Sequence, residues 1–183
     1  LFIAISWGMG SSLQIYMNTY FWEFKSIMLA SYLGIYVLST LSAYLIVPRL
    51  VEVIEKKTIL LIAISFAALI PPIPIILFIN NLLPDTGTWN LFYATIPFVY
   101  VANTCLSSSA IIRESMLGDI SDEVELESGI GQQGLMFASS SLIGKLNTGL
   151  GILMAGITLE FINFPQGTDV TPSAENIFNL AMV

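Results

Sequence analysis

Inside the apolar stretch 135–162 there is one full positive charge, Lys145, in "SSLIGKLNTGLG". It stands ten residues in, roughly 15 Å deep at 1.5 Å per helical residue. The hydrocarbon layer of a bilayer is about 30 Å thick, so this depth is near its middle. Snorkelling serves lysines near helix ends. A central lysine costs about 2.5–3.5 kcal/mol on insertion scales. Such a charge is expected to face a polar cavity or a carboxylate; the alternative is a lysine bonded to carbonyls inside a helix bundle. Ser141 and Thr148, at i−4 and i+3, share its face. Gly144, Thr148, Gly151 and Ala155 read as a small-residue stripe for close helix contact.

Other polar groups recur at helical spacing. Trp7, Ser11, Gln14 and Asn18 are 4, 3 and 4 residues apart and give the first stretch one polar, aromatic face. Amides bond hydroxyl groups and aromatic rings stack on apolar ring faces, which suits a hydroxyl-rich ligand. Hydrogen bonding between helices is the other reading. Tyr32, Tyr36 and Ser39 share a face of the second stretch, as ligand contacts or as packing. Asn103 and Ser107 form an i,i+4 pair in the fourth. "PPIP", Pro71 to Pro74, interrupts the third, where missing backbone donors predict a kink. Broken helices also mark ligand sites in some membrane proteins.

A second charged group lies between the stretches. "GDISDEVELESG" holds Asp119, Asp122, Glu123, Glu125 and Glu127, five of the thirteen acids. Arg49, Lys56 and Lys57 lie in another connection. Carboxylates facing these cations would make a charge lock at a closing seam. Exposed pairs of this kind contribute about 0–1 kcal/mol each.

The elements that must position these groups are apolar helices. Of 183 residues, 55% are hydrophobic and only 10% charged; mean hydropathy is +0.81. Soluble domains carry about 25% charged residues, so the composition is that of a membrane protein. Spans are predicted at about 1–21, 27–47, 58–80, 91–112 and 135–162, with part of a sixth at 176–183. All should be helical, because lipid leaves an open strand edge unsatisfied. The net charge of −7 comes with no basic patch, no histidine and one cysteine, Cys105. That pattern speaks against nucleic-acid binding, a disulfide framework and a metal site. It offers no activated nucleophile, so an enzyme is not expected.

The connections alternate in basic content. The second and fourth hold Arg49, Lys56, Lys57 and Arg113; the first holds only Lys25, and the third and fifth hold none. The positive-inside rule then puts loops 48–57 and 113–134 in the cytoplasm of a multi-pass protein of the cell membrane. The chain begins at an apolar Leu1 and ends within "NIFNLAMV", and is expected to be an internal piece of a longer protein.

"GDISDEVELESGIGQQGLMFASSSLIGKLNTGLGILMAGITL" resembles the tenth-to-eleventh-helix region of the glycoside–pentoside–hexuronide:cation symporters, a melibiose-permease-like family of the major facilitator superfamily. The matching positions are Asp119, Asp122, Glu125, Gly129 and Lys145. "VPRLVEVIEKK" resembles the family's eighth-to-ninth loop. The turn "GIGQQG" departs from the pattern: it has no arginine, and Gln133 stands where a Glu is common.

The resemblance implies an all-α integral membrane protein, the C-terminal six-helix bundle of a twelve-helix transporter. The function implied is Na+- or H+-coupled symport of a sugar or glycoside by alternating access. The implied cavity residues are Lys145, Gln14, Asn18, Tyr32, Tyr36, Ser141, Thr148 and Asn103. The implied cytoplasmic gate is Arg49, Asp119, Asp122 and Glu125. No cofactor is implied beyond the coupling ion, bound mainly in the N-terminal half. The implied partners are a small-molecule substrate, the lipid bilayer and that N-terminal half, with no nucleic acid. The alternatives are a lysophospholipid carrier of the same superfamily and a non-transporting membrane sensor or scaffold.

Overall fold

The computed structural model describes residues 2–165 and 172–182, and within them every element is helical. Leu1, residues 166–171 of the expected fifth connection and Val183 lie outside the described residues. Among the described residues, four helices are long and apolar enough to cross a membrane: Ser26–Val51, Lys56–Ile79, Trp89–Ser128 and Gln133–Phe161. The chain forms two compact units, Leu1–Lys25 with Phe137–Val183, and Ser26–Met136.

In the first unit, α1 (Phe2–Tyr16) widens into one π-helical turn, Met17–Phe21. The Trp22 N–H donates five residues back to the Met17 carbonyl at 2.9 Å. The run then ends at Glu23, whose φ of 54° is left-handed. The body of α6 (Gln133–Phe161) and α7 (Ala174–Met182) complete this unit. Its core joins Leu13, Ala155, Phe164 and Leu180, with Tyr16 and Tyr20 meeting Phe164 edge-on. Asn176 ties α7 down, its amide donating to the Ile162 and Asn163 carbonyls at 3.2 and 2.5 Å.

The second unit holds α2 (Ser26–Val51), α3 (Lys56–Leu69), α4 (Pro72–Ile79) and α5 (Trp89–Ser128). Side-chain bonds between α2 and α5 join residues 58 to 67 apart, so the two run parallel. Lys56 meets Asp119 and Ile59 packs with Ile112, so α3 runs antiparallel to α5. Val47, Ile59 and Ile112 form the core where the three meet.

Two boundaries differ from the hydropathy reading. Segment 113–134 is not a loop: α5 continues to Ser128. Hydropathy falls there because acids enter, but Glu and Leu are good helix formers and the segment keeps its helical bonds. Gly129 stops the helix at a left-handed φ of 70°, its N–H on the Glu125 carbonyl at 2.9 Å. Likewise α2 runs through Pro48 to Val51, leaving only residues 52–55 as a connection. The expected break at "PPIP" is present: α3 ends at Leu69 and α4 begins at Pro72.

Candidate functional site

The expected site residues fall into three groups, one in the first unit and two in the second. In the first unit, α1 and α6 cross at glycine. A Cβ on Gly8 would stand 2.6 Å from the Thr148 carbonyl oxygen; one on Gly151 would meet the Ile5 carbonyl and stand 2.7 Å from the Met9 nitrogen. Only glycine lets the two backbones come this close. The buried stripe of α6 is Asn147, Gly151 and Ala155, one helical turn apart. The stripe expected from sequence was Gly144, Thr148, Gly151 and Ala155. Gly144 has nothing within 4 Å of a would-be Cβ, so it takes no part in the crossing.

Lys145 is two residues before Asn147, about 200° around the helix at 100° per residue. It therefore points away from the face that packs on α1, and its side chain is exposed. Ser141 is exposed beside it, while Thr148 is half-buried with its hydroxyl donating to the Gly144 carbonyl at 2.9 Å. Among the described residues, neither ion pair has Lys145 as a member. On α1, Trp7, Ser11 and Gln14 are exposed and Asn18 is half-buried in the π-turn. The Ser11 hydroxyl turns back onto its own helix, donating to the Gly8 carbonyl at 3.0 Å.

In the second unit, Tyr32, Tyr36 and Asn103 come together in a polar seam between α2 and α5. Thr95 spends its hydroxyl hydrogen on the Phe92 carbonyl at 2.8 Å, so Tyr32 donates to Thr95 Oγ1 at 3.0 Å. Tyr32 is buried at 4% exposure, stacked on Tyr36 and edge-on to Phe92. Asn103 donates to Ser39 Oγ at 2.5 Å and to the Tyr36 carbonyl at 3.4 Å. Thr40 and Ser107 share a bond of 3.2 Å, and Tyr100 donates to Ser42 at 2.5 Å, since Ser42 gives its own hydrogen to Leu38. Satisfying these groups against one another is what allows them at membrane depth. A shallow depression of about 280 Å³ opens beside the seam, lined by Tyr36, Val37, Thr40 and Leu41.

The third group lies at the charged end of the same unit. Asp119 pairs with Lys56 at 2.5 Å. Arg49 instead donates to the Leu45 carbonyl at 3.0 Å, one turn back on its own helix. Asp122 accepts from the Gln133 amide at 3.5 Å, a weak contact with a neutral side chain where the resemblance leads one to expect a charged one. The Glu125 carboxylate lies over the turn, 3.4 Å from where a Cβ on Gly131 would be. Asp122, Glu123, Glu125 and Glu127 are all exposed.

Three residues of this arrangement had no part in the sequence reading. Gly8 is half of the α1–α6 crossing; its "GMG" context gives no helical spacing to α6. Asn147 heads the buried stripe at 5% exposure, four residues before Gly151, a spacing visible once a polar residue is admitted to a packing face. Ser121 is 1% exposed, its Oγ without a hydrogen-bond partner, and nothing in its acidic surroundings marks it as buried.

The family model for MFS/sugar transport proteins matches residues 1–183, the whole chain. No curated protein and no solved structure matches it. The all-helical fold, the four apolar helices of spanning length and this match agree. The chain belongs to the MFS/sugar transport protein family, a family of membrane transporters.

Proposed function

We propose that the chain is the C-terminal half of a cation-coupled symporter for a sugar or glycoside, working by alternating access. Family membership supports transport. The observation that carries the site is Lys145: a cation exposed on the apolar α6, turned away from the glycine crossing. An intramembrane charge that faces a cavity marks a substrate or ion pathway. Lys145 then serves as the fixed positive group of the cavity, answered by a carboxylate of the N-terminal half or by the coupling cycle. In the first unit, Gln14 and Asn18 on α1 are proposed hydroxyl-binding groups; in the second, Tyr36 and Asn103 at the α2–α5 seam are proposed ring-stacking and hydroxyl-binding groups. Lys56–Asp119 is the proposed core of the charge lock, with Asp122 and Glu125 beside it.

The test is uptake by the full-length protein in liposomes under an imposed Na+ or H+ gradient. Radiolabelled methyl galactoside and methyl glucoside are the first probes, and a lysophospholipid is the competing one. Glycoside uptake should follow the gradient and fall at least about tenfold in Lys145→Ala, in line with loss of an electrostatic contact. Unchanged uptake in that variant removes Lys145 from the site. Gradient-independent transfer of the lysophospholipid, with no glycoside uptake, selects the lipid-carrier reading instead.

A further inference from the structure

Arg49 does not stand where a gate residue is expected. Val47, two residues before it, is buried against Ile59 and Ile112. Two residues turn about 200° around a helix, so Arg49 faces away from that core. Leu38 and Leu45, 11 and 4 residues back, share its face, and both are exposed. Arg49 is exposed as well. Among the described residues, neither ion pair includes it. Its guanidinium lies back along α2 and donates to the Leu45 carbonyl at 3.0 Å. That bond uses one of five N–H donors.

The height of Arg49 in the membrane follows from the neighbouring helix. Val47 packs with Ile112, and the seam joins residues 58 to 67 apart, so Arg49 stands about level with Arg113. At the other end of α5, Trp89 and Tyr93 are exposed and stacked, their ring centroids 5.9 Å apart. Exposed Trp and Tyr collect where lipid tails meet headgroups. Tyr93 and Arg113 are twenty residues apart, about 30 Å by helical rise, which matches the hydrocarbon layer. Arg49 and Arg113 therefore mark the opposite boundary. Arg113 has the Glu114 carboxylate at 3.5 Å. Arg49 carries its charge on an apolar face, at the depth where phospholipid phosphates begin. Glu52 is exposed three residues further on, beyond that depth.

We propose that Arg49 binds the phosphodiester of a phospholipid whose acyl chains lie along the Leu38–Leu45 face of α2. A guanidinium holds a phosphate through two parallel N–H···O bonds. The side chain reaches it by swinging outward from Leu45, as long cationic side chains do at a membrane boundary. The swing gives up a carbonyl that already accepts from its own helix and gains a charge-assisted pair. Lys57 is exposed at the start of α3, beside the Lys56–Asp119 pair. It adds positive charge further out, which favours a lipid of net negative charge. Arg49 then fixes the depth of α2 and takes no part in the charge lock. This assignment does not depend on the substrate.

The site is read by photocrosslinking in the full-length protein, held in nanodiscs of phosphatidylcholine with a minority of phosphatidylglycerol that carries a diazirine on its headgroup. Peptides covering 45–53 should take up the label. Arg49→Gln should lower that labelling about fivefold, the attraction of one basic residue to an anionic headgroup. Labelling of 109–117, around Arg113, should stay unchanged and serves as the internal standard. Arg113→Gln should leave the labelling of 45–53 as it was. No labelling of 45–53 in the unsubstituted protein overturns the site and means that another part of the protein covers this face. Equal labelling with and without Arg49 overturns it as well. So does an equal fall in both segments, which reports a general attraction of lipid to charge.

Discussion

The two units hold their helices together by different means. In the first, α1 and α6 meet backbone to backbone through Gly8 and Gly151, with no side chain between them. In the second, α2 and α5 meet through hydroxyls and an amide that satisfy one another. Lipid tails are as apolar as leucine, so burial alone gives helices little reason to associate inside a membrane. Close van der Waals contact and interhelical hydrogen bonds are the two remedies, and this chain uses one in each unit. They fail differently. A backbone contact has no slack, so one added carbon disrupts it. A hydrogen-bonded seam shares its load over several rungs, so removing one weakens it by a fraction.

That contrast ranks the substitutions. Gly151→Ala should have the largest effect, because its Cβ would fall on the Ile5 carbonyl and the Gly8 Cα, neither a flexible side-chain end. Overpacking of this kind costs about 1–3 kcal/mol. Steric-trap unfolding of the full-length protein should place Gly151→Ala at the upper end of that range. Gly144→Ala has open space and should be neutral or slightly stabilising. Similar losses in the two variants would mean that helix propensity, and not the crossing, sets the cost.

Asn103→Leu should come next. It removes the donor to Ser39 and to the Tyr36 carbonyl, for a loss of about 1 kcal/mol in the same assay, within the range for interhelical hydrogen bonds in membranes. Tyr32→Phe keeps the ring contacts with Phe92 and Tyr36 and deletes only the hydroxyl. About 0.6 kcal/mol is expected, the average for such bonds. A larger loss in either seam variant than in Gly151→Ala would reverse the ranking. Lys56→Met should be smallest, at about 0–1 kcal/mol, since Lys56 and Asp119 are 32% and 60% exposed. Its effect should shrink further in high salt, where exposed charges are screened.

Much of the fold could be read from hydropathy, because a stretch of apolar residues can only be a helix in lipid. The helix break at "PPIP" could be read from missing donors alone. What escaped was register. Tyr32, Tyr36, Ser39, Asn103 and Ser107 were recognisable as polar faces, but their partners lie 63 to 67 residues away. No spacing rule within one helix sets that offset. The stripe on α6 was legible at Thr148, Gly151 and Ala155 but not at its head, where Gly144 faces open space and Asn147 packs instead, because Asn147 does not look like a packing residue. Hydropathy reads 113–134 as a loop because it measures solvent preference and not backbone conformation, whereas α5 continues to Ser128. Gly129, a helix stop, was the signal that located its true end.

The length of α5 has a mechanical consequence. Forty residues make a rod about 60 Å long, twice the thickness of the hydrocarbon layer, about 30 Å. With the apolar part of α5 in the hydrocarbon layer, the stretch Arg113–Ser128 extends about 24 Å beyond it, held to α3 at Asp119. A tilt of α5 by about 10° within the membrane would sweep its tip by about 4 Å over that length. The carboxylates of Glu123, Glu125 and Glu127 ride on this tip, so a rotation too small to notice among packed helices becomes a displacement of fixed charge outside them. Leu126, 87% exposed at the same tip, is the natural place for a fluorophore that would report it.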